Sequence, residues 1–152
     1  LRSLDGGDYV SADPRRAAYL DAMRDYGLAA QVRVMPSGGT RAEGAATALA
    51  ALAEGNLPPA VIAYNDQVAF GFMDVLARRG VRVPDDVSIV GFDNVPEAGM
   101  PHLSLTTVEQ RGDLLAFAVS ELVMDRIEGA PAGGLRLLPP GPLVVRTSTA
   151  AR

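Results

Sequence analysis

The sequence predicts an α/β fold of the doubly wound kind, a parallel sheet with helices on both faces, and three observations predict it. Apolar or β-branched runs begin near residues 32, 60 and 87, a recurrence of about 28 residues, which is the length of one strand plus a crossover helix. The intervals carry helical patterns with readable ends. The runs themselves are nearly continuous rather than alternating with charge, as expected when helices cover both faces of a sheet. The units share no residue motif, so the recurrence is not that of a solenoid.

Each element has a local reason. Asp13-Pro14 reads as a helix N-cap followed by proline at the first helical position; Ala17, Leu20 and Met23 continue as a stripe and Gly27 stops it. Residues 31–35, with Val32 and Val34 alternating, predict a strand. Thr40 and Glu43 form a capping box, after which Ala45, Leu49, Leu52 and Ala53 face inward until Gly55. A second strand is expected over 60–64. Asp66 opens the next helix, with Phe70, Met73, Leu76 and Ala77 inward and Gly80 as its stop. Phe70 and Phe72 point to different sides of that helix, which suggests a second apolar contact.

A third strand over 87–92 follows, and then the rhythm changes. Pro96, Gly99 and Pro101 break regular structure before an extended segment over 104–108 and a long helix over about 111–128, with Leu115, Ala118, Leu122 and Val123 on one face. A Pro/Gly-rich stretch over 129–142 includes an extended segment near 135–138, and residues 143–146 read as a final strand.

Composition narrows the function classes. The 152 residues are 48% apolar and 21% charged but only 5% aromatic, so elements pack closely through alanine and glycine. The formal charge is −4, with basic residues spread along the chain; nucleic-acid binding by these residues is not expected. Absence of cysteine excludes disulfides, thiolate metal sites and cysteine nucleophiles. No apolar run is long enough to cross a membrane, and the first residues lack the basic and apolar regions of a signal peptide. The expected location is therefore cytoplasmic, for a chain that starts at Leu1 and reads as a fragment.

In open parallel sheets ligands bind beyond the carboxyl ends of the strands, where loops converge and helix N-termini present unpaired N–H groups. That rule selects Asn65, after the strand 60–64, and Asp93, at the end of 87–92. An amide and a carboxylate there can donate to and accept from the hydroxyls of a small polar ligand. Both residues also have bland readings, Asn65 as a helix cap and Asp93 as an Asx-turn with Asn94. Arg15 lies in the first helix's first turn, where a cation opposes the macrodipole; an anionic or hydroxyl-bearing partner would explain it, as would simple solvation beside Arg16. No phosphate loop, dinucleotide fingerprint, nucleophile elbow or metalloprotease motif is present. The lone His102 sits in a proline-flanked loop, and Asp85, Asp86 and Glu97 lack metal-ligand spacing with it. The expectation is a binding protein and not an enzyme, with no catalytic residue, no metal and no cofactor.

Several motifs carry a resemblance. Ala63-Tyr64-Asn65-Asp66-Gln67, Val83-Pro84-Asp85-Asp86-Val87-Ser88-Ile89-Val90-Gly91-Phe92-Asp93-Asn94, Leu105-Thr106-Thr107-Val108-Glu109-Gln110 and Leu143-Val144-Val145-Arg146-Thr147-Ser148-Thr149 together resemble the effector domain of lactose-repressor (LacI/GalR) type transcription regulators. The resemblance spans nearly the whole chain. It implies a periplasmic-binding-protein-like type I fold, two lobes joined by three crossovers, with a sugar or related polyhydroxy effector between them. It assigns residues 1–107 to the C-terminal lobe, 108–142 to a crossover helix and strand of the N-terminal lobe, and 143–152 to a terminal strand and tail returning towards the C-terminal lobe. It implies that Arg15, three residues before Ala18-Tyr19, contacts the effector together with Asn65 and Asp93, that Tyr9 and Ser11 hold ligand-dependent positions, and that Gln110 lies at a crossover near the cleft. It further implies a homodimer through about 68–78 and 95–102, and DNA contact only through a headpiece absent from this chain. One departure is Gly39, where the family often has a stacking aromatic, leaving Tyr9 as the substitute. The alternative is a solute-binding protein of a transport system with the same fold.

Overall fold

The computed structural model describes residues 12–130 and 137–151, and the chain divides into two compact units, Leu1–Pro36 and Ser37–Arg152. In the first unit, α1 (Ala12–Asp25) is followed by a 3-10 turn over Ala29–Gln31. Gly27, at φ 70°, ends α1: its N–H donates to the Arg24 carbonyl at 3.0 Å, and the Leu28 N–H to that of Met23 at 2.7 Å. This is the Schellman pattern that a left-handed glycine permits. Among the described residues the strand expected over 31–35 has no ladder. Gln31 is drawn into the 3-10 turn and residues 32–36 carry no ladder. Alternation marks a face, whereas a strand exists only through paired backbone groups.

The second unit holds α2 (Arg41–Ala53), β1 (Ala60–Ile62), α3 (Asp66–Arg78), β2 (Ser88–Asp93), a 3-10 turn (Pro96–Gly99), β3 (Thr106–Glu109), α4 (Gly112–Ile127) and β4 (Leu143–Val144). The sheet order is β1-β2-β3-β4. The pairs β1–β2 and β2–β3 are parallel, while β4 returns antiparallel to β3. The architecture is therefore mixed α/β on an open, mainly parallel sheet. Of the extended segment expected near 135–138, residues 135 and 136 lie outside the described residues, and 137 and 138 carry no strand.

Thr40 caps α2 as its sequence predicts. Its Oγ1 accepts from the Glu43 N–H at 3.3 Å, while the Glu43 carboxylate accepts from the Thr40 N–H at 2.9 Å and from its hydroxyl at 2.6 Å. These hydrogen bonds, the hydroxyl's first, hold the Glu43 carboxyl below the usual glutamate value of 4.5. A carboxyl depressed on folding contributes stability that is complete above its unfolded value and fades as pH falls through the lower folded one. Thr40→Ala should therefore lower the melting midpoint near neutrality and flatten the loss of stability below about pH 4.5. Melting curves of both proteins across the acid range check it.

The inward face of α2 differs from the expected one. Gly44, Ala48 and Ala51 are buried, whereas Leu49 is 45% exposed. The reason is the close crossing of α2 and α3. A Cβ on Gly44 would lie 2.2 Å from the Val68 carbonyl oxygen, and one on Gly71 would lie 1.8 Å from that of Arg41. Backbones that approach this closely select the smallest residues, not the largest apolar ones. Across the same crossing, the Arg41 guanidinium makes a two-bond pair with Asp74, at 2.8 and 3.0 Å, which raises its pKa further. Its guanidinium carbon stands 5.7 Å from the Phe70 ring centre.

Phe70 and Phe72 are both buried within the chain, at 0% and 2% exposure. The second apolar contact inferred from that pair is not available: α3 packs against α2 and against β2, so more than one of its faces is interior. Leu76, Val87, Ile89 and Leu105 are likewise fully buried. By contrast α4 buries no residue. Of its predicted face, Leu115 and Val123 are each 51% exposed, and Phe117 and Ile127 stand out further.

Candidate functional site

The parallel register places the expected residues at one end of the sheet. Ile62 pairs with Val90 and the Ala63 N–H donates to the Val90 carbonyl at 2.8 Å. Three residues beyond β1 the chain reaches Asn65, at the start of α3, and β2 ends on Asp93. Asp93 in turn is the Cα partner of Glu109, the last residue of β3. The carboxyl ends of the three parallel strands thus lead into Asn65, Asp93 and Glu109-Gln110.

Asn65 is the N-cap of α3. Its Oδ1 accepts from the Val68 N–H at 2.9 Å, and its Nδ2 donates to the Gly39 carbonyl at 2.9 Å. The cap reading is therefore realised. These bonds use one of the amide's two N–H groups and one oxygen lone pair, and they hold the side chain at the rim. Asp93 and Gln110 meet directly: Gln110 Nε2 donates to Asp93 Oδ1 at 2.7 Å. Asp93 has φ 120° and Asn94 φ 53°, so the turn after β2 puts two consecutive residues at positive φ.

Behind this rim lies a polar network that the sequence reading did not select. Asp66, fully buried, accepts from the Thr107 hydroxyl at 2.6 Å and from the Val95 N–H at 2.9 Å. A Cβ on Gly91 would fall 2.2 Å from Asp66 Oδ1, so a glycine in β2 makes room for the carboxylate. Asn94 Nδ2 donates to Glu109 at 2.5 Å, and Asn94 Oδ1 accepts from Arg146 Nη2 at 2.7 Å. Applied to the extended segment over 104–108, the strand-end rule would have picked out Glu109. No local signal marks Asp66 as buried or Arg146 as a partner of Asn94.

Beside Glu109 the chain leaves β3 and returns to β4. The Glu109 N–H donates to the Pro142 carbonyl at 2.9 Å, and a Cβ on Gly141 would lie 1.5 Å from the Glu109 oxygen. A shallow hollow of about 580 Å³ opens there, lined by Glu109, Arg111, Gly112, Asp113 and Pro142. Arg15 stands half-buried near the start of α1, in the first unit. Tyr9 and Ser11 lie outside the described residues. Among the described residues no group of histidine and carboxylate side chains could hold a metal ion, and no helix is long and apolar enough to cross a membrane. With Glu109 engaged by Asn94 and the Arg111 N–H, what the strand ends offer is the Asp93 carboxylate and the amides of Asn65 and Gln110, a set suited to hydroxyl groups of a ligand.

The chain belongs to the periplasmic binding protein-like domain family, which matches residues 5–149. Within it, the similar proteins are LacI-type transcription regulators. The HTH-type transcriptional repressor CytR of Escherichia coli is 30% identical over 138 residues, covering 90% of this chain and 40% of the repressor. A solved LacI transcriptional regulator from a Rhodococcus species has a TM-score of 0.84 at 38% identity, with 94% of this chain covered and 53% of that one. A LacI family regulator from Enterococcus faecium, solved with bound ribose, has a TM-score of 0.80 at 27% identity, with 90% and 50% covered. The chain thus spans about half the length of these structures, and less of the repressor.

Proposed function

We propose that this chain is the effector-sensing part of a DNA-binding transcription regulator, taking a sugar or related polyhydroxy molecule, with DNA contacted by a headpiece that is not among these residues. The observation that carries the reading is the meeting of Asp93, at the carboxyl end of β2, with Gln110, just beyond that of β3. Arg15, Tyr9 and Ser11 are proposed to complete the contacts. The bound ribose of the Enterococcus faecium regulator supports the ligand class, and the regulators named above favour sensing over a transport role.

In this reading residues 1–107 form one lobe, 108–142 contribute a crossover helix and strand to a second, and 143–152 return to the first. An α4 that buries nothing, yet carries Leu115, Phe117 and Val123, fits a helix whose apolar face belongs against another lobe. The effector closes the cleft and the lobe angle biases the headpieces of a homodimer formed through about 68–78 and 95–102. The protein works in the cytoplasm and catalyses no reaction. The test is a reporter gene under the regulator's operator, read with a panel of sugars. In the intact regulator, Asp93→Ala and Arg15→Ala should each abolish the response while the protein still accumulates; a normal response in both would sink the assignment.

A further inference from the structure

Asp93 carries φ 120° and is followed by Asn94 at φ 53°. Asparagine tolerates the left-handed region, but an aspartate at φ 120° is strained. Such a residue persists only where its surroundings over-determine it. The surroundings are visible one residue on. The Asn94 amide stands between opposite charges, its Nδ2 donating to Glu109 Oε2 at 2.5 Å and its Oδ1 accepting from Arg146 Nη2 at 2.7 Å. Both partners are themselves fixed: the other Glu109 oxygen accepts from the Arg111 N–H at 3.1 Å, and Arg146 Nη1 donates to the Leu105 carbonyl at 2.6 Å. The next N–H along, that of Val95, is held by buried Asp66.

We infer that Asn94 is a positioning residue: clamped between Glu109 and Arg146, it holds the strained backbone of Asp93 so that the Asp93 carboxylate stands where Gln110 meets it. The inference rests on the reading of Asp93 as an effector contact, and adds that this contact's geometry is set by Asn94, Glu109 and Arg146, none of which is in the proposed contact set. It makes a chemical prediction. Asn94→Asp keeps the acceptor for Arg146 but replaces the donor to Glu109 with a carboxylate facing a carboxylate. Adding Glu109→Gln restores a donor from the opposite side, while the oxygen of the introduced amide still accepts from the Arg111 N–H.

The readout is the Gln110 side-chain amide in nitrogen-15 NMR of the full chain, identified by its disappearance in Gln110→Ala. In the starting protein, one of its protons, bonded to Asp93, should be shifted downfield and exchange slowly. Asn94→Asp should lose that signature although Asp93 and Gln110 are untouched, and the double variant Asn94→Asp/Glu109→Gln should recover it. An unchanged signal in Asn94→Asp, or one lost there and not recovered in the double variant, overturns the inference. Should Asn94→Asp fail to fold, Glu109→Gln alone decides: a weakened signature supports the clamp and an unaltered one overturns it. The reading of Asp93 as an effector contact fails separately, through a normal reporter response in Asp93→Ala, and that result leaves the NMR outcome standing.

Discussion

The Gly71→Ala variant is expected to lose stability at or beyond the upper end of the roughly 1–3 kcal/mol typical of overpacked interiors. An added Cβ would sit 1.8 Å from the Arg41 carbonyl oxygen and 2.8 Å from the Ala45 nitrogen. Both are backbone atoms, so no rotamer change relieves the clash and α2 and α3 must move apart. That movement would loosen Gly44 from Val68 and pull Arg41 from Asp74. In a chain of this size each kcal/mol lowers the melting midpoint by about 2–4 °C. Gly112→Ala is the control, since nothing lies within 4 Å of its added Cβ; it should be close to neutral. Thermal unfolding followed by circular dichroism compares the two, and a Gly71→Ala midpoint equal to that of the control would refute the crossing.

Asp66→Ala should be comparably damaging for an electrostatic reason. Its carboxylate, fully buried at the start of α3, receives the Thr107 hydroxyl and the Val95 N–H. Hydrogen bonds to a carboxylate contribute about 1.5–3 kcal/mol each, and a negative group at a helix N-terminus adds to this. Truncation leaves both donors without the partner they have here, so a loss of about 3–5 kcal/mol is expected. Asp66→Asn should fall between, because its amide can accept one donor while presenting N–H groups to the other. Urea unfolding gives the totals. Hydrogen exchange at Val95 locates the effect, and a loss below about 1 kcal/mol would mean that the network contributes little.

Much of the second unit was legible in the sequence because its signals are local. Thr40 and Glu43 announce the start of α2, Asn65 and Asp66 that of α3, and the runs near 60 and 87 become β1 and β2. The strand-end rule selected Asn65 and Asp93 without knowledge of the fold, and the contact between Asp93 and Gln110 brings together two residues chosen on separate grounds. What escaped depends on tertiary approach. The buried stripe of α2 is glycine and alanine because a neighbouring backbone lies against it, and hydrophobicity is blind to that. Phe72 looked outward only while α3 was imagined with one interior face. Residues 31–35 alternate correctly yet form no ladder among the described residues. Asn94, Glu109 and Arg146 are separated by up to 52 positions, and only the folded chain shows an amide lodged between a carboxylate and a guanidinium.

The antiparallel return of β4 gives the sheet two mechanical characters. A pull on the segment between residues 112 and 141 falls on the ladder pairs Thr107–Val144 and Val108–Leu143, where outgoing and returning chains are drawn apart at the same end and open one pair after another, like a zipper. The ladders joining β1, β2 and β3 run parallel, and a load along those strands must shear several bonds together. The tethered segment therefore has a base that yields first, and the strands that lead to Asn65 and Asp93 keep their register when it does.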